Sequence, residues 1–311
     1  MRELFLAGQR AHIRWIDLPG AGDGPVRVFV HGLGCTAASD FAHIAAHPAL
    51  GGGRALLVDL LGHGLSDRPA DFDYRMESQA AAVAAVLDHL ALTGVDLVGH
   101  SMGGAVTIHL AASRPELVAR LVVAEPNLYG GGGAFSSPVA AMDEKVFVAE
   151  GFARLLAVAF RADYAARMRL ADPLALHRSA VALVEGSTPA PGDLLAGLKI
   201  PRTYLVGQSS LPDPGAEKAA AWGIPVVEIP GAGHNMSLDN PEGFARALGG
   251  ALGIDGHGGD DGHAGHVGRE WDGRHGGYGG DRPGRSAPAP PNVRQSPVPG
   301  HRAPTPHRTG P

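Results

Sequence analysis

Val95-Asp96-Leu97-Val98-Gly99-His100-Ser101-Met102-Gly103-Gly104-Ala105 is the stretch whose reading decides the fold. Its opening, with Val95, Leu97 and Val98, is a short apolar run of the kind that forms a buried parallel strand. Ala105 to Ala112 (AVTIHLAA) is helix-forming, so Ser101 falls on the turn between a strand and a helix. Gly99 and Gly103 flank the serine at two residues on either side. In a turn that holds the serine in a strained conformation and brings strand close to helix, a side chain at either position would clash. The reading pushes a hydroxyl beyond the C-terminal edge of a sheet, with the Met102 amide at a helix N-terminus beside it. That is a nucleophile with half an oxyanion hole.

Working outward, the chain has 311 residues, 44% hydrophobic and 18% charged, enough for one large α/β domain followed by a tail. The net charge is −5 and Lys and Arg are scattered, so no electrostatic footprint for nucleic acid or an anionic membrane is present. A small-molecule substrate is expected; nothing in the sequence sets an oligomeric state. The single cysteine, Cys35, has no internal partner for a disulfide. The N-terminal MRELFLAGQR has too short an apolar run for a signal peptide, and a cytoplasmic location is the expectation. The most apolar helical stretch, Gln79 to Leu92, contains Asp88 and His89 and is too short to span a bilayer.

His12 to Leu18 alternates polar and apolar residues, and after a turn-rich break Val26 to Val30 follows, so these read as the opening strands. Arg54 to Leu60 is a further buried strand, and Tyr74 to Leu92 an Ala-rich helix over one face of the sheet. Val118 to Ala124 is the strand after the Ser101 helix and delivers Glu125 to its C-terminal edge, one strand along from Ser101 on the same rim. Ile200 to Gly207 and Val226 to Ile229 are the last strands, and Glu242 to Leu252 the closing helix, with Asp239-Asn240 before it.

Four motifs stand on this frame: Gly99-His100-Ser101-Met102-Gly103, His31-Gly32-Leu33-Gly34, the segment DLLGHGLSDRP from Asp59 to Pro69, and Pro230-Gly231-Ala232-Gly233-His234. Together, and in their order along the chain, they resemble the α/β-hydrolase family, over roughly residues 11–252. The resemblance implies a mostly parallel sheet with helices on both faces and a helical cap at about residues 126–192, between the sixth and seventh strands. It implies that the Leu33 amide is the second oxyanion donor, that His31 props its loop, and that His234 is the catalytic base. Asp59 and Ser66 are expected to bond nearby amides as turn residues. Serine at position 101 argues against the aspartate-nucleophile dehalogenases and epoxide hydrolases of this fold.

The chain departs from the commonest family pattern at the acid. Where most members carry G-x-x-D, this sequence has Gly207-Gln208-Ser209-Ser210, and a neutral serine gives no charge to stabilise an imidazolium. Some relatives place the carboxylate after the strand following the nucleophile, where Glu125 stands; Asp213, between two prolines, is the fallback. The resulting expectation is a serine hydrolase acting on an ester or similar acyl bond through Ser101, His234 and Glu125, with no cofactor and no metal. A carbon–carbon bond hydrolase with the same triad, a lyase-like or cofactor-free oxygenase activity, and a non-catalytic binding protein on a hydrolase scaffold are the alternatives.

Within the cap stretch, Phe152, Leu155, Leu156, Ala159 and Phe160 repeat at helical spacing and either line an acyl pocket or pack cap onto core. Arg154, Arg161 and Arg178 are basic candidates for an acidic substrate, with a solvated helix face as the plainer reading. Residues 255–311 turn abruptly to Gly, Pro, His, Arg and Asp, a composition that builds no core and predicts disorder. His257, His263 and His266 in that tract have no fixed geometry for a metal.

Overall fold

The computed structural model describes residues 1–21, 24–158 and 162–254. The expected disordered tail, with its histidines, and Ala159, Phe160 and Arg161 lie outside the described residues. Eight strands make one sheet: β1 (Arg2–Leu6), β2 (Ala11–Leu18), β3 (Arg27–Val30), β4 (Ala55–Asp59), β5 (Val95–His100), β6 (Val118–Ala124), β7 (Arg202–Gly207) and β8 (Val226–Ile229). Their spatial order is β1-β2-β4-β3-β5-β6-β7-β8. β2 runs antiparallel to β1 and β4, and every other pairing is parallel. β1 is an edge strand that the sequence reading did not separate from the N-terminal segment.

Alternation along the central strands divides the interior into two layers. Val28, Val30, Leu97, Leu121 and Val123 face one core, while Phe29, Val98, Val122 and Leu205 face the other. The first core is covered by α2 (Met76–His89) and α3 (Met102–Ser113), the second by α1 (Ala37–Ala45) and α12 (Pro241–Ala251). Every residue of β3, β4 and β5 is buried, which is why these strands read as apolar runs rather than alternating ones.

Helix boundaries shift for identifiable reasons. α3 begins at Met102, three residues ahead of the Ala105 start that composition predicts. Its first turn contains Gly103 and Gly104, poor helix formers that close packing requires: a Cβ on Gly103 would lie 2.3 Å from the Val30 carbonyl oxygen. α2 is shorter than the predicted Tyr74 to Leu92 because Tyr74 (φ +57°) and Ala91 (φ +51°) are left-handed and cannot continue a helix. At α12 the Asn240 side chain accepts the Gly243 N–H at 2.8 Å and fixes the start at Pro241.

Between β6 and β7 the chain builds α4 (Ser136–Ala140), α5 (Glu144–Val146), a π-helical turn over Phe147–Gly151, α6 (Phe152–Val158), α7 (Ala162–Met168), α8 (Pro173–Glu185) and α9 (Pro191–Gly197). Phe152, Leu155 and Leu156 are partly buried and pack against the first core. After β7 come α10 (Pro214–Ala221) and, after β8, α11 (Met236–Asp239). Among the described residues no helix is long and apolar enough to cross a membrane.

Candidate active site

Ser101 sits at φ +52°, ψ −119°, where a non-glycine residue is held only by its surroundings. Its N–H donates to the Ala124 carbonyl at 2.9 Å, and its own carbonyl accepts the N–H groups of Gly104 and Ala105 at 2.9 and 3.2 Å. The close approach demanded of Gly99 is present: a Cβ there would stand 2.4 Å from Thr107 Oγ1 and 2.5 Å from the Gly103 carbonyl oxygen. The Met102 amide is the first of α3, and the leading N–H groups of a helix have no acceptor within it.

The loop after β3 runs beside this turn, so that a Cβ on Gly32 would be 3.5 Å from Ser101 Cβ and 3.2 Å from His100 Nδ1. His31 is fully buried. The Leu60 N–H donates to His31 Nε2 at 3.1 Å, so the ring proton is on Nδ1, which donates to the Gly32 carbonyl at 2.8 Å. Nδ1 thereby holds the peptide that carries the Leu33 N–H, while Nε2 ties the ring to the chain after β4. Asp59 accepts the Ala37 N–H at 2.8 Å and the Leu65 N–H at 2.9 Å, and Ser66 donates to the Asp59 carbonyl at 2.6 Å, the turn-residue bonding that the sequence suggests. Nearby His63 is buried against His31, and burial first, then the His31 ring, pushes its pKa down to about 3.

Glu125 leaves the end of β6 at φ +40° and is 9% exposed. Its N–H donates to the Leu205 carbonyl at 3.1 Å, fixing the turn to the neighbouring strand. One carboxylate oxygen, Oε1, accepts the Gly207 N–H at 2.9 Å; the other, Oε2, is 2.6 Å from His234 Nδ1. Burial raises the carboxyl pKa, but the bonds from His234 and the Gly207 amide, the charge of His234 and a hydrogen bond from Ser210 outweigh it, and the net pKa lies below the ordinary glutamate value. Ser210 stands at the aspartate position of the G-x-x-D pattern. Its hydroxyl supplies no charge of its own and is the smallest of the influences that lower the Glu125 pKa.

His234 follows β8 on a glycine-rich loop, with its side chain 49% exposed. Gly207 has to be glycine for this loop to seat, since a Cβ there would lie 2.5 Å from the Gly233 carbonyl oxygen. The loop is further tied by Ser209 N–H to the Ala232 carbonyl at 2.8 Å and Gly231 N–H to Gln208 Oε1 at 2.9 Å. His100 Nε2 donates to the His234 carbonyl at 2.8 Å, with the two rings 4.7 Å apart. Among the described residues no hydrogen bond joins the Ser101 hydroxyl to His234; the bond to His100 is what sets their backbones side by side. Burial, and then the His234 ring, push the His100 pKa down to about 4, so His100 is neutral near pH 7. In the sequence its only signal is its place next to Ser101.

The other candidates are engaged elsewhere. Asp213 does not come to His234: it caps α10, accepting the Ala216 N–H at 2.6 Å and the Tyr204 hydroxyl at 2.8 Å. Asp213, the fallback acid of the sequence, is thus engaged as a helix cap. Three histidines away from the site, His43, His47 and His109, each use a ring nitrogen on Ser237, Glu242 and Ser187 respectively. Arg154 pairs with Glu150, and Arg178 pairs with Glu144 at 2.9 Å. Among the described residues no group of three or more His, Cys, Asp or Glu side chains is placed to hold a metal ion.

A doubly covered, mostly parallel sheet with a serine on a strained strand-to-helix turn and a histidine bonded to a carboxylate on the same rim defines a hydrolase-like class. Residues 28–247 match the model of the alpha/beta hydrolase family, and the chain belongs to that family. Over 125 residues it is 36% identical to the 2-hydroxymuconate semialdehyde hydrolase of Pseudomonas sp. (strain CF600), a match covering 39% of this chain and 42% of that one. Over 122 residues it is 40% identical to Lipase LipV of Mycobacterium tuberculosis (strain ATCC 25618 / H37Rv), covering 38% and 44%. The matched stretch thus spans less than half the length of these curated relatives. The enol-lactonase from Burkholderia xenovorans LB400 shares the fold with a TM-score of 0.66 at 22% identity, over 81% of this chain and 100% of that one.

Proposed function

We propose that the chain is a serine hydrolase that cleaves an ester or similar acyl bond of a small molecule through an acyl-enzyme. Ser101 Oγ attacks the carbonyl carbon while His234 Nε2 takes its proton, and the negative charge that develops on the carbonyl oxygen is received by the Leu33 and Met102 N–H groups. The tetrahedral adduct collapses, the acyl–oxygen bond breaks, and His234 returns the proton to the departing alkoxide. Water then repeats the attack with His234 as base and releases the acid and Ser101. Through both halves the Glu125 carboxylate holds the Nδ1 proton and offsets the imidazolium charge.

The observation that carries this reading is the 2.6 Å bond from His234 Nδ1 to Glu125 Oε2, whose other oxygen is already fixed on the Gly207 amide. A carboxylate so anchored orients the ring and leaves Nε2 available on its far side. A hydrolysis assay with p-nitrophenyl acetate tests it: Ser101→Ala is expected to abolish turnover while circular dichroism stays unchanged, and retained turnover would refute the assignment. A carbon–carbon bond hydrolase is the second reading, favoured by the likeness to 2-hydroxymuconate semialdehyde hydrolase. It uses the same residues, and a panel of esters against β-diketones separates the two.

A further inference from the structure

The cap helix α7 places three side chains on one face at the spacing of helix neighbours, Tyr164, Arg167 and Met168. All three meet the loop that carries the Leu33 amide. The Tyr164 hydroxyl donates to the Leu33 carbonyl at 3.1 Å. Arg167 Nη1 donates to Asp40 of α1 at 2.7 Å in a pair whose side chains are 9% and 3% exposed, and its guanidinium lies 5.3 Å over the Tyr164 ring. Gly34, at φ +71°, is walled by Met168 and by Leu176 of α8, each 3.3 Å from where a Cβ would be.

The direction of the Leu33 N–H follows from the orientation of the two peptides around it. The carbonyl before it, that of Gly32, is held from the core side by His31 Nδ1–H at 2.8 Å and by the Cys35 N–H at 3.2 Å. The carbonyl after it is held from the cap side by Tyr164. Burial raises the Tyr164 pKa well above its ordinary value, so the phenol remains a neutral donor. From these contacts we infer that Tyr164 is a positioning residue for the reaction: it completes the anchoring of the oxyanion loop, and Arg167 holds it there through Asp40. The cap is then part of the catalytic geometry as well as a cover over it. This inference rests on the serine-hydrolase reading and on Leu33 as an oxyanion donor.

The test is the rate of saturable labelling by a fluorophosphonate, whose phosphoryl oxygen occupies the oxyanion position. Tyr164→Phe keeps the ring that packs edge-on to Phe135 and beneath Arg167. Losing one direct oxyanion donor costs on the order of a hundredfold or more, so loss of one of two anchors is expected to lower the maximal labelling rate by about tenfold, with the half-saturation concentration unchanged. Arg178→Gln is the control, because Arg178 ties α8 to the carbonyls of Ala70 and Phe72 at 2.7 and 3.2 Å and makes no bond to the Leu33 loop. It is expected to lower thermal stability and leave the labelling rate near wild type. An unchanged rate in Tyr164→Phe, or an equal fall in both variants, would overturn the positioning role. Absence of labelling in the wild-type protein would instead refute the serine-hydrolase reading beneath it.

Discussion

Glu125 and Asp213 each follow a strand of the same sheet, and each accepts a backbone N–H, yet only one of them has an oxygen turned to the histidine loop. Glu125 is fixed at both ends: its backbone by Leu205 and Oε1 by Gly207, leaving Oε2 for His234. Asp213 uses Oδ1 for both the first turn of α10 and the Tyr204 hydroxyl. The comparison teaches that a carboxylate serves a histidine when the sheet holds the carboxylate, and serves a helix when it begins one. Rigid placement by strand ends is the difference.

The largest effect expected from this contrast is in turnover. Glu125→Gln keeps the acceptor for Gly207 but turns an amide toward Nδ1, which disfavours the required tautomer and removes the countercharge. By analogy with other triads, kcat is expected to fall on the order of a thousandfold, and that of Asp213→Asn to stay within about tenfold. Steady-state kinetics on folded variants reads this directly. An active Glu125→Gln beside a crippled Asp213→Asn would reverse the assignment.

A smaller effect is expected in stability against pH, and it belongs to the rim that holds Glu125. His63 and His100 are buried with folded pKa values of about 3 and about 4, against 6.5 for an exposed ring. Both values are depressed, so between pH 6.5 and the folded values the unfolded chain binds protons that the folded chain does not, and stability falls as pH falls. From pH 7 to pH 5 the loss is on the order of 1–2 kcal/mol per ring. The Glu125 contribution has the same sign and lies lower, full above the ordinary glutamate value of 4.5 and lost as pH drops through its depressed one. Urea unfolding at pH 7 and pH 5 checks the histidine part; equal stability at the two would contradict it.

The smallest effect belongs to Asp213. Asp213→Ala removes the cap of α10 and the acceptor for Tyr204, at a cost of about 1 kcal/mol in thermal unfolding with catalysis untouched. A large activity loss at unchanged stability would mean that the residue reaches the histidine after all.

Much of this was legible in the sequence where one residue type has one physical use. Gly99 and Gly103 marked a close approach and the apolar runs marked central strands buried on both faces, while the PGAGH loop that carries His234 was legible only through its resemblance to the family's histidine loop. Legibility failed where a contact is made across the fold. Ser210 carries no sequence signal for its small effect on the Glu125 carboxyl, because the two residues stand on the turns after β7 and β6 and meet only in the fold. Tyr164 carried no signal, because its partner is a main-chain carbonyl 131 residues away and a carbonyl has no sequence. The first turn of α3 was hidden because Gly103 and Gly104 answer to packing against β3 and Pro126 rather than to helix propensity.

The central claim, one reactive serine activated by a histidine that Glu125 holds, is tested most directly by fluorophosphonate labelling followed by peptide mapping on the wild type, Glu125→Gln and Asp213→Ala. The expected result is a single adduct on Ser101, formed at the wild-type rate in Asp213→Ala and far more slowly in Glu125→Gln. An adduct on Ser66, Ser209 or Ser210, or no adduct in the wild type, would contradict it.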